Sequence, residues 1–80
     1  MTIATDYSFN FVENFYSGMG EYHGYCKDEG TKWVCDVLEV TVSGFAGDDV
    51  KQITFEKNGD DLILKTDLCM SRSGDKFILN

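Results

Sequence analysis

The sequence predicts a mainly β domain, an antiparallel meander of about five strands. Three observations predict it. Apolar and polar residues alternate along short runs, as in Val50 to Lys57, where Ile53 and Phe55 share one face and Gln52, Thr54 and Glu56 the other. Compact turn signals separate those runs, among them Glu29-Gly30-Thr31 and Asn58-Gly59. The runs are also rich in the aromatic and β-branched side chains that suit a pleated, half-buried surface.

The elements follow in order. Asp6 to Tyr16 is compatible with a strand or a short helix. Phe9, Val12 and Phe15 or Tyr16 recur at helical spacing behind Asp6 or Ser8 as N-cap, whereas Phe9 and Phe11 alternate with Ser8 and Asn10 as in a strand. Its aromatic and β-branched content favours the strand. Ser17-Gly18-Met19-Gly20 ends that element. Glu21 to Asp28 and Lys32 to Val42 read as two strands joined around Gly30, and Gly44 to Asp49 breaks the chain again. Val50 to Lys57 and Leu62 to Leu68 form a hairpin across Asn58-Gly59, with Leu62, Leu64 and Leu68 on one face. Ser71 to Asp75 turns once more, and Lys76 to Leu79 is a last short strand. Residues 1–80 read as a single domain without repeats or low-complexity tracts.

Lys32 to Val42 is apolar on both faces: Val34, Leu38, Val40 and Val42 on one, Trp33, Cys35 and Val37 on the other. Such a strand is covered on both sides. The aromatic amino-terminal segment is one candidate cover. A second copy of the chain is the other, which makes Trp33, Cys35 and Val37 a candidate homodimer face.

Charge bounds the function. Fourteen acidic residues against seven basic ones give a net charge of −7, and the basic residues Lys27, Lys32, Lys51, Lys57, Lys65, Arg72 and Lys76 are scattered among acids. That scatter argues against a continuous positive patch for phosphates, so direct binding to nucleic acid or to an anionic membrane is not expected. A basic protein surface is the expected partner. The amino terminus has no basic segment leading into an apolar run, and no apolar stretch approaches membrane-spanning length, so the expectation is a cytoplasmic protein.

Three acidic pairs, Asp28-Glu29, Asp48-Asp49 and Asp60-Asp61, stand at expected turns, where Asp tightens loops. In a meander, alternate turns lie at the same end of the sheet, which places Asp28, Glu29, Asp60 and Asp61 near one another. Glu39, Glu56 and Asp67 are candidates to extend that field across a face. These seven acids are the candidate partner-binding residues.

Catalytic and metal chemistry find little footing. Cys26, Cys35, Cys69 and the single histidine, His23, make a four-ligand zinc site conceivable, but no Cys-x-x-Cys knuckle exists and only His23 and Cys26 are closely spaced. No metal and no cofactor are expected. With Gly30-Thr31 as a two-residue loop, Cys26 falls opposite Cys35. A disulfide is then geometrically possible, but a cytosolic setting disfavours it, and buried thiols are expected. No third group is marked to orient a Cys–His pair, no glycine loop is built for phosphate, and the carboxylates single out no acid–base pair, so no enzyme activity is expected.

This profile, with acidic turn pairs Asp28-Glu29, Asp48-Asp49 and Asp60-Asp61 in a short proline-free chain, resembles the small phage-encoded anti-CRISPR proteins. The resemblance is of general character and carries no motif. It implies a DNA-mimicking inhibitor that binds a basic nucleic-acid-binding surface of a Cas effector complex in the bacterial cytoplasm and blocks DNA recruitment. The alternatives are a small dimeric protein–protein interaction module of a phage or bacterial accessory protein, and a small zinc-binding protein.

Overall fold

A computed structural model describes residues 1–15, 18–43, 50–68, 71 and 73–79. They form one antiparallel sheet of seven strands in which every strand pairs with its neighbours in sequence: β1 (Thr2–Ile3), β2 (Ser8–Phe15), β3 (Gly18–Asp28), β4 (Lys32–Ser43), β5 (Gln52–Asn58), β6 (Asp61–Leu64) and β7 (Lys76–Ile78). The mainly β meander expected from the sequence is therefore present, with seven strands in place of about five. The ambiguous amino-terminal segment is the strand β2, and the additional strand β1 is too short for its pattern to stand out.

The turns follow glycine geometry. Gly30 (φ 83°) opens the loop between β3 and β4, with Glu29 N–H donating to Lys32 O at 2.9 Å. Asn58 stays in its strand opposite Asp61, so the next two-residue loop is Gly59-Asp60. Gly59, at φ 64°, supplies the left-handed backbone there. The expected Ser17 to Gly20 break is shorter: Gly18, Met19 and Gly20 already belong to β3, and Phe15 pairs with Gly18. The expected Gly44 to Asp49 break lies outside the described residues.

The sheet coils on itself. Phe11 on β2 packs edge-on against Phe55 of β5 and Phe77 of β7, with ring centroids 5.2 and 4.8 Å away, and stacks on Tyr22 of β3 at 5.8 Å. A strand near one edge touches one at the other edge only if the sheet curls round a shared interior. The edges meet where the Met1 amine donates to Ile78 O at 2.9 Å. Phe9, Phe11, Tyr22, Cys26, Cys35, Ile53, Phe55, Leu62, Leu64 and Leu68 fill that interior. Each large side chain fully buried there contributes about 1.5–3 kcal/mol of transfer free energy.

One irregularity decides the faces of β4. His23 pairs with Glu39, but the next residue, Gly24, pairs with Val37, so Leu38 is an extra residue in a β-bulge. A Cβ on Gly24 would stand 1.9 Å from Asp36 O, so only glycine admits this close approach. The bulge resets the alternation. Trp33, Val37 and Val40 all pack on the core, whereas Leu38 points to solvent with 73% of its surface exposed. The single face expected for Val34, Leu38 and Val40 is thus split, because an inserted residue turns every later side chain over. The face carrying Trp33, Cys35 and Val37 looks into the coiled sheet, where Cys35 is fully buried. Coverage comes from within the chain, and β2 supplies part of it.

Candidate interaction surface

Strands β1, β3, β5 and β7 run in one direction, so residues 4–7, the loop after Asp28, the loop after Asn58 and Leu79 share one end of the sheet. Of the acids expected to meet, Asp28, Glu29, Asp60 and Asp61 are brought to this end. Asp6, which is not one of the seven expected acids, joins them from the connection between β1 and β2. The lysines of this end are Lys27, Lys32 and Lys57.

Local bonds organise two of these carboxylates. Asp6 accepts from Ser8 Oγ at 2.7 Å and from Ser8 N–H at 3.0 Å, and these bonds hold its carboxyl below the usual carboxylate range. Asp28 pairs with Lys57 Nζ and accepts from Gly30 N–H at 3.0 Å; the lysine bond first, then the backbone bond, lowers its titration as well. Lys57 also sits 4.6 Å from the centroid of the Trp33 ring. One ammonium thus rests against a carboxylate and an aromatic face together.

Beside these charges is an apolar depression of about 360 Å³ lined by Ile3, Ala4, Thr5, Tyr7, Trp33 and Leu79. Tyr7 is 51% exposed, its ring lies 6.2 Å from that of Trp33, and its φ is 66°. That backbone region costs a bulky residue free energy, and such strain is concentrated at functional segments. Tyr7 N–H donates to Ala4 O and Tyr7 O accepts from Cys26 N–H, which hold the turn in place.

The remaining expected acids are elsewhere. Glu39 lies on the outer face of β4 opposite His23. Glu56, exposed on β5, forms an ion pair with Lys65 at 3.6 Å. Asp67, in the connection from β6 to β7, lies toward the opposite end and accepts from Ser73 N–H at 2.8 Å. Asp48 and Asp49 lie outside the described residues.

Cys26 and Cys35 face each other in register and form a disulfide, which corrects the expectation of thiols. The loop Gly30-Thr31 sets that opposition, and antiparallel cross-strand neighbours lie within a disulfide's reach. Both sulfurs are thereby removed from zinc ligation. Among the described residues no three His, Cys, Asp or Glu side chains converge on a metal position. His23 Nε2 lies 3.1 Å from Glu21 Oε2 on the outer face. Among the described residues no helix is long and apolar enough to cross a membrane.

The sequence held no signal for one buried polar group: Glu13, 4% exposed in the interior, accepts from Tyr22 Oη and from Ser71 Oγ, each at 2.7 Å. Only the strand register, which sets Glu13 across from Gly20 and beside Tyr22, makes that cluster apparent.

No protein-family model matches the chain, and no curated protein or solved structure matches it.

Proposed function

We propose that this domain is a non-catalytic binding protein whose acidic, aromatic end occupies a basic, nucleic-acid-binding surface of a partner protein and keeps nucleic acid from it. The observation that carries this reading is the gathering of Asp6, Asp28, Glu29, Asp60 and Asp61 round the Tyr7–Trp33 depression. The grip of Asp28 and Trp33 on Lys57 is an internal instance of the chemistry. A partner's Lys or Arg meets the same combination of carboxylate and ring, and its charge is compensated where phosphate would otherwise bind. The particular partner in this proposal is a Cas effector complex, with DNA recruitment as the step blocked; it rests on the resemblance described above.

The test is a pull-down from bacterial lysate with the purified chain as bait, followed by association kinetics on the recovered partner. The reading expects capture of a nucleic-acid-binding protein that is weakened by salt and competed by DNA. Reversing Asp60 and Asp61 to Lys slows association by about tenfold, as loss of electrostatic steering does. Capture indifferent to salt, DNA and the reversals overturns it.

A further inference from the structure

We infer that a second contact surface, a groove on the outer face of β1–β4 beside the Leu38 bulge, takes an arginine side chain of the partner. The inference rests on the reading above only in requiring a basic partner; the face is a different one. Strand register places Asn10, His23 and Glu39 in one row across the outer face, with Ser8 and Tyr25 in the next. The bulge adds Leu38 between them. The groove these residues line has a volume of about 510 Å³.

Its chemistry is one-sided. Among the described residues no lysine or arginine lines it. Glu39 supplies a carboxylate, and Glu21, bonded to His23, stands beside it. Tyr25 and Leu38, 52% and 73% exposed, are large apolar groups facing solvent. Asn10 Oδ1 is buried with no hydrogen-bond partner among the described residues. A buried acceptor of that kind calls for an explanation, and a donor entering the groove provides one once the Asn10 amide turns toward it.

Arginine answers each feature. Its planar guanidinium stacks on a tyrosine ring, donates in a fork to a carboxylate and sheds water readily, while its stem lies along an aliphatic side chain. Lysine supplies a point charge that stacks poorly and stays hydrated. A phosphate-bearing ligand is repelled by Glu39 and Glu21. The occupant is therefore an arginine-bearing protein segment.

The experiment is an NMR titration of the full chain with a capped tri-arginine peptide, with capped tri-lysine and tri-citrulline peptides as controls. The expected result is perturbation of Asn10, His23, Tyr25, Leu38 and Glu39 amides, with about fivefold tighter binding of the arginine peptide than of the lysine one. Glu39→Gln and Leu38→Ser, both at exposed positions, each weaken it by about fivefold, and unchanged spectra elsewhere show that the variants fold. Equal response to arginine and lysine, indifference to both variants, or no perturbation at millimolar peptide overturns the inference. Perturbation confined to the Asp28, Glu29, Asp60 and Asp61 end overturns it while leaving the proposed function standing. Groove perturbation together with salt-indifferent partner capture removes that function and keeps the groove.

Discussion

Tyr22 donates a 2.7 Å hydrogen bond to the Glu13 carboxyl inside the coiled sheet, from the strand next to it and two residues out of direct opposition. Ser71, 58 residues along the chain, donates to the second oxygen of the same carboxyl. The pairing ties the connection between β6 and β7 to β2 through a buried polar group. Tyr22→Phe and Ser71→Ala each leave a carboxyl oxygen short of a donor and are expected to cost about 1–3 kcal/mol in urea unfolding. Because the two donors share one acceptor group, the double variant departs from additivity. Costs below a few tenths of a kcal/mol in both singles show that the cluster contributes nothing to stability.

Two interior glycines on β3 make a contrast. Gly24→Ala drives a methyl into Asp36 O, a backbone atom that moves only with its strand, and is expected to lose about 3 kcal/mol or more. At Gly20 the same methyl meets Glu13 and Tyr22 atoms at 3.7 Å, ordinary contact distance. Gly20→Ala is therefore expected to be neutral or stabilising by about 0.4–1 kcal/mol, through the unfolded chain. Thermal unfolding of the pair decides whether the bulge requires glycine.

The Cys26–Cys35 bond closes a short loop, nine residues in sequence separation. Chain entropy gives about 2–3 kcal/mol for a loop of that size. The expected outcome is a lower melting temperature on reduction, and little further effect of reductant on the Cys26→Ser/Cys35→Ser variant. The bond also bears on compartment, since cytosolic thiols are kept reduced. Chain recovered oxidised from its native cells, with thiols blocked at lysis, counts against a cytoplasmic Cas effector as the partner.

Acid stability follows from Asp28. Its carboxyl titrates below the usual 3.8 when folded, through Lys57 and then the Gly30 amide. A group depressed in the folded state contributes stability that is complete above its unfolded value and lost as pH falls from there through the folded value. Stability is therefore expected to decline below about pH 3.8 on this account. Carboxyl carbon shifts report the site directly: Lys57→Met moves the Asp28 titration upward, and an unmoved titration removes the ion pair as the cause.

Much of this fold was legible because the meander writes each pairing locally. Alternation at Ile53 and Phe55, the Gly30 and Gly59 turns and the shared face of Leu62, Leu64 and Leu68 each depend on residues a few positions apart. What escaped depends on pairs far apart. Leu38 looks like one more core residue until Gly24 is seen to press on Asp36, and Glu13 looks like an exposed strand acid until Ser71 arrives. The acidic end was partly legible, since topology alone sends Asp28, Glu29, Asp60 and Asp61 the same way. Glu39, Glu56 and Asp67 stand apart from that end, and sequence gives no sense of how a sheet coils.

The contact between Met1 and Ile78 has a consequence for the order of folding. Six neighbouring pairings join the strands in sequence, each closing only a short stretch of chain, and such closures carry a small entropic cost. The edge-to-edge contact, 77 residues apart, repays its closure only after the intervening strands are in place. Contacts across the seam, including that between Phe11 and Phe77, therefore belong to the late side of the folding barrier. Weakening them is expected to speed unfolding and leave the folding rate nearly unchanged, which the two arms of a denaturant chevron report separately.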